Sequence, residues 1–364
     1  MQRVYNFSAG PSMLPLEVLE KVQAEMLCYE ELGMSVMELN PNSERFTQIM
    51  ESSEASLRKL MNIPSNYKVL FMQGGATTQF SAIPLNLLSD HKCADYIISG
   101  QFSNEAAKEA KNYCDVAVAA SSAGANPAYS VIPATVRSDF RPDADYVHIC
   151  FNNTIHGTKF YYIPDTGNIP LVADISSCIL SEPIDVSKFG LLYASSQMNI
   201  GPAGLTVVIV REDLIGNARP DTPRMLNYKN IADSKSLHNM PPFFCIYVAN
   251  LVFDWILSIG GLEEMKRRNE RKASLLYDYL DSQKYYTASV DKKCRSMMNV
   301  VFTTGNAALD RKFVEEADAI GLKNLAGHSS IDGLRASIYN AMPYEGVEKL
   351  VSFMRKFLIE NPKL

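Results

Sequence analysis

Short apolar runs alternate with amphipathic stretches along most of the chain. Residues 68–73, 95–98, 146–150, 169–174 and 204–210 are strand-length runs rich in Val, Ile, Leu, Phe and Tyr, most of them flanked by Gly, Asn, Asp or Ser. Residues 16–27, 43–61, 243–258, 262–280, 309–320 and 345–357 repeat their apolar positions at helical spacing. Strands alternating with helices predict an α/β protein. The Gly260-Gly261 pair breaks the pattern between two helices and sets the expected boundary between a larger and a smaller domain.

Two strand ends carry polar groups into this apolar frame. The run 169–177 ends on Asp174 followed by Ile-Ser-Ser, and open parallel sheets hold ligands at the carboxyl ends of their strands. Residues 193–203 read Tyr-Ala-Ser-Ser-Gln-Met-Asn-Ile-Gly-Pro-Ala: a buried strand end, a polar turn and a Gly-Pro bend before the next apolar strand. After the strand at 68–73, Gly74-Gly75-Ala76-Thr77 opens a helix with small residues, so free backbone N–H groups face any anion placed there. A glycine pair before a helix is by itself more often only a tight turn.

Composition narrows the classes. The chain has 364 residues, enough for two domains, and a formal charge of −5 with no block of like charge, which gives no reason to expect nucleic acid or an anionic membrane as partner. The densest charged run, 263–272, mixes signs at helical spacing and reads as a solvated face. Seven cysteines without CxxC spacing suit reduced thiols, and neither a signal core nor a run of ~18 apolar residues appears, so a cytoplasmic protein is expected. His148, His156 and His238 lack metal-ligand spacing.

Together the segments around Asp174 and Met198 resemble the cofactor segment of pyridoxal-phosphate aminotransferases, specifically the phosphoserine aminotransferase family. The resemblance covers the whole chain and includes the opening Phe-Ser-Ala-Gly-Pro and the runs 183–190 and 335–343. It implies the α/β fold type I of pyridoxal-phosphate-dependent transferases. Expected are an N-terminal segment (1–15), a large domain (16–258) with a mainly parallel seven-stranded sheet, and a small α/β domain (259–364). It implies a homodimer with active sites at the subunit interface, and transfer of an amino group from glutamate to 3-phosphohydroxypyruvate in serine biosynthesis. Asp174 matches the residue that pairs with the pyridinium nitrogen. Ala76, Thr77, Phe102, Thr154, Gln197, Asn239 and Met240 match other cofactor-binding positions, with Phe102 where the family has a stacking Trp and Met240 where it has Thr. Ala9, Asn42, His328 and Arg335 match substrate-binding positions, Arg335 that of the carboxylate arginine.

The departures gather in one pocket. Met198 stands at the position of the Schiff-base lysine, and a thioether has no amine and no basic lone pair. Pro41, Asn42 and Ser329 stand where the family carries His, Arg and Arg around the substrate phosphate. An engineered Lys-to-Met change would explain position 198 alone; several departures suit natural divergence. Three readings follow: a pseudoenzyme that binds or regulates, pairing with itself or with an active paralogue; an enzyme holding pyridoxal or pyridoxamine phosphate without a covalent link and acting on another carboxylate; or an intact site served by a different lysine.

Overall fold

The computed structural model describes residues 3–363, so the first two residues of the N-terminal segment and Leu364 of the C-terminal one lie outside it. Its centre is a seven-stranded sheet. In spatial order the strands are Tyr67–Met72, Thr206–Arg211, Leu191–Ser195, Leu171–Asp174, Tyr146–Cys150, Cys93–Ile98 and Asp115–Ser121. Thr206–Arg211 runs antiparallel to both neighbours and every other pairing is parallel. The five middle strands are buried on both faces almost throughout, which is why they read as continuous apolar runs rather than alternating ones. The edge strand Asp115–Ser121 was not expected from the sequence: it is alanine-rich, intrinsically a weak strand former, and is held by pairing along Cys93–Ile98.

From Cys93–Ile98 the chain steps outward to Asp115–Ser121, then returns past it to Tyr146–Cys150 on the other side. The strand order therefore reverses between Cys93–Ile98 and Tyr146–Cys150, and the crevice beyond their carboxyl ends is where such sheets accept ligands.

The helices form where the periodicity places them. Glu44–Met61 is capped by Ser43, whose hydroxyl accepts from Phe46 N at 3.3 Å, and is closed by Asn62 in the left-handed conformation. Phe46 stacks on Phe243 at 3.7 Å, joining this helix to Phe243–Ser258. That second helix turns by 85° at Gly260 into Gly261–Asp281, whose charged face carries the ion pairs of Glu264 with Arg267 and Arg268. Helix Leu16–Glu25 stops two residues short of its sequence pattern. Among the described residues no single helix is long and apolar enough to cross a membrane.

Beyond Gly260 the sequence suggested a small α/β domain. The structure has two-stranded pairings there: Asn299–Phe302 antiparallel to Leu334–Ser337, and the N-terminal Tyr5–Asn6 parallel to Leu322–Lys323. The N-terminal segment thus belongs structurally with the C-terminal residues. Phe313, fully buried, meets Phe302, Phe353, Phe357 and Tyr286 ring to ring. Phe313→Ala should destabilise the protein by about 3–5 kcal/mol, because so many rigid rings cannot collapse into the void. A chemical-denaturation midpoint unchanged from wild type would contradict this packing.

Candidate active site

The segments at the sheet's carboxyl edge are tied to one another by named bonds. The close approach of 99–102 to 152–154 requires a glycine: a Cβ on Gly100 would lie 2.4 Å from Asn153 Oδ1. Asn153 Nδ2 donates to Ser99 Oγ at 3.2 Å and to Thr158 Oγ1 at 3.0 Å. Asn152 Nδ2 donates to Ser177 Oγ at 2.7 Å, drawing 152–154 to the loop that follows Asp174. Ser195 N donates to Ser176 Oγ at 3.0 Å, and Gly75, with φ +72°, lies so close to Ser195 Oγ that a Cβ would reach it at 3.3 Å. The helix Gly75–Leu87, the end of Leu191–Ser195 and the end of Leu171–Asp174 are therefore neighbours.

Asp174 is buried at the end of its strand, where its carboxylate accepts from Ser176 N at 2.9 Å. Burial raises its carboxyl above the ordinary range, opposed by its hydrogen bonds with Ser176 and Tyr193. A cationic ring N–H would meet unused acceptor capacity and would bring that pKa back down. Helix Gly75–Leu87 starts on left-handed Gly74 with no side-chain cap and no acidic residue in its first turn, leaving its N–H groups beside Ala76 and Thr77 for an anion. Phe102 is half-buried in the first turn of helix Gln101–Ala110, which is not among the helices expected above. Thr154 is buried, and its carbonyl accepts from Arg335 Nη1 at 3.2 Å. Burial lowers the Arg335 pKa, yet a guanidinium remains a cation. Asp174, the uncapped first turn of Gly75–Leu87 and the half-buried Phe102 fit the ring nitrogen, the phosphate and the ring face of pyridoxal phosphate.

Position 198 carries methionine. Its backbone is held in place: Ser12 Oγ donates to Met198 O, Ser12 N donates to Gln197 O at 3.0 Å, and Asn340 N donates to Asn199 Oδ1 at 3.1 Å. Gln197 Oε1 accepts from Ser195 Oγ at 2.6 Å. A Cβ on Gly10 would stand 3.3 Å from Gln197 Cγ and 3.5 Å from Met198 Cγ, and Ala9 O accepts from Tyr339 OH at 2.7 Å. The half-buried thioether thus sits among the N-terminal segment, the end of Leu191–Ser195 and the turn after Leu334–Ser337.

The remaining expected residues are placed differently. His328 Nδ1 accepts from Ser330 N at 3.2 Å, and Ser330 Oγ donates to Gln101 Oε1 at 3.3 Å, which brings the exposed Ser329 loop to the rim beside Phe102. His156, half-buried against the Tyr129 ring, has its pKa pushed down to about 4 by burial and then by His328 nearby. Gln101 and Ser12 are rim residues without a local signal in the sequence, because each depends on contacts far away in the chain. Asn239 and Met240 are exposed, with Met240 O accepting from Gln73 Nε2 at 2.8 Å. Pro41 and Asn42 lie on an exposed loop, and within the chain no hydrogen bond joins them to the other site segments among the described residues. No group of three or more His, Cys, Asp or Glu among those residues is placed to hold a metal ion.

Comparison with known proteins agrees with this geometry. Residues 4–350 match the model of the class-V aminotransferase family, a pyridoxal-phosphate-dependent class to which the chain belongs. Within that class it is a member of the phosphoserine aminotransferase family. A phosphoserine aminotransferase of Bacillus cereus is 51% identical over 361 residues, covering 99% of this chain and 100% of the relative. The phosphoserine aminotransferase structure from Bacillus circulans subsp. alkalophilus superposes with a TM-score of 0.96 at 45% identity, covering 99% of each chain. The pyridoxal-phosphate-bound enzyme of Trichomonas vaginalis superposes at 0.91 with 38% identity, covering 97% of this chain and all of that one.

Behind the site, His148 is fully buried, with Nε2 2.9 Å from Tyr193 OH and Nδ1 unpaired, and burial holds its pKa down at about 3. The unfolded chain protonates this ring near pH 6.5 and the folded one does not, so below that pH the unfolded state binds more protons and stability falls as pH falls. The loss amounts to as much as about 1.4 kcal/mol per pH unit between roughly 6.5 and 3. His148→Gln should flatten the fall in melting temperature over pH 6.5–4; an unchanged slope would exclude His148 as its source.

Proposed function

We propose that this chain is a phosphoserine aminotransferase-family protein in which normal transamination is severely impaired, and that it binds a pyridoxal-type cofactor without a covalent link. Met198 carries the proposal. The family reaction, amino transfer between glutamate and 3-phosphohydroxypyruvate in serine biosynthesis, uses a lysine amine both as tether and as the base that moves a proton at the substrate α-carbon. Bound pyridoxal phosphate supplies an electron sink for negative charge at that carbon. In this chain Asp174 would hold the ring nitrogen protonated and the first turn of Gly75–Leu87 would hold the phosphate. Thr154, Phe102, Gln197 and Asn239 would orient the ring, while Arg335 would hold a substrate carboxylate. Met198 can accept no proton. The loss of general acid–base help alone removes about 10²–10⁴-fold in rate.

A rescuing lysine has little support. The two lysines buried among the described residues are both engaged: Lys159 with Glu182, and Lys272 with three backbone carbonyls. The phosphate pocket is altered as well, with Pro41, Asn42 and Ser329 in place of cationic side chains. The exposed position of Pro41 and Asn42 suits a site completed by a second copy, so we read the assembly as a homodimer with residues 16–258 as its cofactor domain and 259–364 as its smaller one. The retained Asp174, Thr154 and Arg335 favour a second reading, an enzyme using untethered cofactor on a different carboxylate substrate.

Assay of glutamate-dependent transamination of phosphohydroxypyruvate tests the first reading. The wild-type protein should show no turnover, and borohydride reduction should leave no cofactor-sized mass on it. Met198→Lys should gain that mass; full activity should further require Pro41→His, Asn42→Arg and Ser329→Arg. Wild-type turnover at ordinary aminotransferase rates would overturn the proposal. Pyridoxamine phosphate should bind the wild-type protein, and Asp174→Asn should weaken that binding about tenfold or more by removing a charge-assisted bond. Equal binding by the two proteins in equilibrium dialysis would remove Asp174 from the cofactor site.

A further inference from the structure

We propose that this protein has a second small-molecule site, in the cleft between its N-terminal segment, the Gly260 bend and the start of helix Tyr344–Glu360, and that it takes an organic anion built on an aromatic body. The cleft has a volume of about 760 Å³, and none of Asp174, Thr77, Phe102, Thr154, Gln197 and Arg335 lines it. Its two walls differ in chemistry. Met13, Leu16, Trp255 and Ile259 form an apolar face, with Leu16 48% exposed although it begins a helix that buries its neighbour Val18. Exposed apolar surface inside a concave site is what an aromatic ligand covers.

The other wall is cationic. Four arginines, Arg3, Arg267, Arg268 and Arg271, line the cleft against three carboxylates, in a chain whose overall charge is −5. Arg267 and Arg268 share a single carboxylate, Glu264. Among the described residues Arg271 has no carboxylate within ion-pair distance; its guanidinium lies 4.0 Å from the centre of the Tyr344 ring. Stacking of this kind fixes the plane of the guanidinium while leaving its edge N–H donors free for a carboxylate, phosphate or sulfonate. Tyr344–Glu360 begins here with no side-chain cap on Pro343 and with Glu345 in its first turn, so the positive charge of this wall comes from the arginines.

The cleft is also connected to position 198. Met13 and Asn340 line it, Ser12 is bonded to the backbone of Gln197 and Met198, and Asn340 N donates to Asn199 Oδ1. A ligand wedged between these two segments presses on the mounts of the 197–199 turn. The proposal does not depend on whether Met198 has abolished transamination.

Trp255 is the single tryptophan of the chain and reports directly on the cleft. The probe is 8-anilinonaphthalene-1-sulfonate, an aromatic anion whose absorption overlaps tryptophan emission. Expected is saturable one-to-one binding with quenching of Trp255. Arg271→Ala, and Arg267→Ala with Arg271→Ala, should weaken binding by roughly tenfold or more, with Arg271→Lys partly restoring it. The neutral N-phenyl-1-naphthylamine should bind more weakly and be insensitive to the arginine changes. Both arginines are exposed, so the variants should keep the wild-type near-ultraviolet circular dichroism. Unchanged sulfonate affinity and quenching in the double variant would overturn the site. Displacement of the probe by inorganic phosphate at equal concentration would overturn the aromatic part of the assignment.

Discussion

The buried amide of Asn152 is the joint on which the candidate site depends. Its Nδ2 donates to Ser177 Oγ at 2.7 Å and to Asn299 Oδ1 at 2.9 Å, while its Oδ1 accepts from Ser296 Oγ at 2.5 Å. Asn299 passes the connection on, donating to Ser337 Oγ at 3.0 Å and Tyr339 OH at 3.1 Å, and Tyr339 OH in turn reaches Ala9 O. A continuous chain of bonds thus runs from the loop after Asp174, through the C-terminal strands, to the N-terminal segment beside Met198. An unmet buried amide group costs ~1–3 kcal/mol, so a partly made network would be worse than an apolar contact. Because the two side-chain amides are satisfied together, the parts of the site that come from distant stretches of sequence have one relative position.

The turn at 197–199 shows why chemistry at such a site can lapse without loss of fold. Its geometry is set by main-chain groups and by Asn199, not by the side chain of residue 198: Ser12 binds the carbonyls of Gln197 and Met198, and Asn340 N binds Asn199. Lysine and methionine are unbranched and of similar length, so exchanging one for the other leaves these bonds untouched. On the reading proposed above, a thioether at 198 removes the base while the bonds that hold the turn remain. At a position such as Gly100, where Asn153 Oδ1 blocks even a Cβ, drift of that kind would disturb the crevice itself.

Much of this arrangement was legible in the sequence, and most of the exceptions have a common cause. Strands buried on both faces and helices with one apolar side announce themselves locally, which is why Tyr146–Cys150 and Phe243–Ser258 fall on the residues their patterns suggested. Asp115–Ser121 did not, because an alanine-rich segment is a weak strand former and takes its conformation from the strand it pairs with; Gln101–Ala110 has helix formers and buried residues at helical spacing, so its signal was present in the sequence. The parallel pairing of Tyr5–Asn6 with Leu322–Lys323 links residues more than three hundred positions apart, beyond the reach of any periodicity. Among the site residues, those on strand ends and in helix-opening turns, Asp174, Thr154, Ala76 and Thr77, were visible from local sequence and resemblance. Ser12 and Gln101 acquire their place only through Met198 and Ser330. Pro41 and Asn42 mark the boundary of what one chain can explain, since their loop makes its hydrogen bonds only within itself.

The two buried lysines sharpen the contrast with position 198. Burial lowers Lys159 to about 8 and Lys272 to about 7, values at which an amine begins to be available as a base near neutral pH. Availability is not placement. Lys272 Nζ donates to Ile338 O at 2.9 Å and Tyr339 O at 2.6 Å, so its work is to close the turn that carries Tyr339 and Asn340 toward the site. Lys159 is paired with Glu182 and lies 4.5 Å from the centre of the Tyr161 ring, in a separate apolar cavity that Ile175 and Cys178 also line. Each supports the loop on which a site residue sits: Lys159 from beneath the residues that follow Asp174, Lys272 from beneath those that pin Asn199. Moving either amine toward the 197–199 turn would strip three carbonyls or a carboxylate of their partner in the interior, a penalty of several kcal/mol. The fold thus keeps its basic nitrogens as structural supports around a turn that presents a thioether.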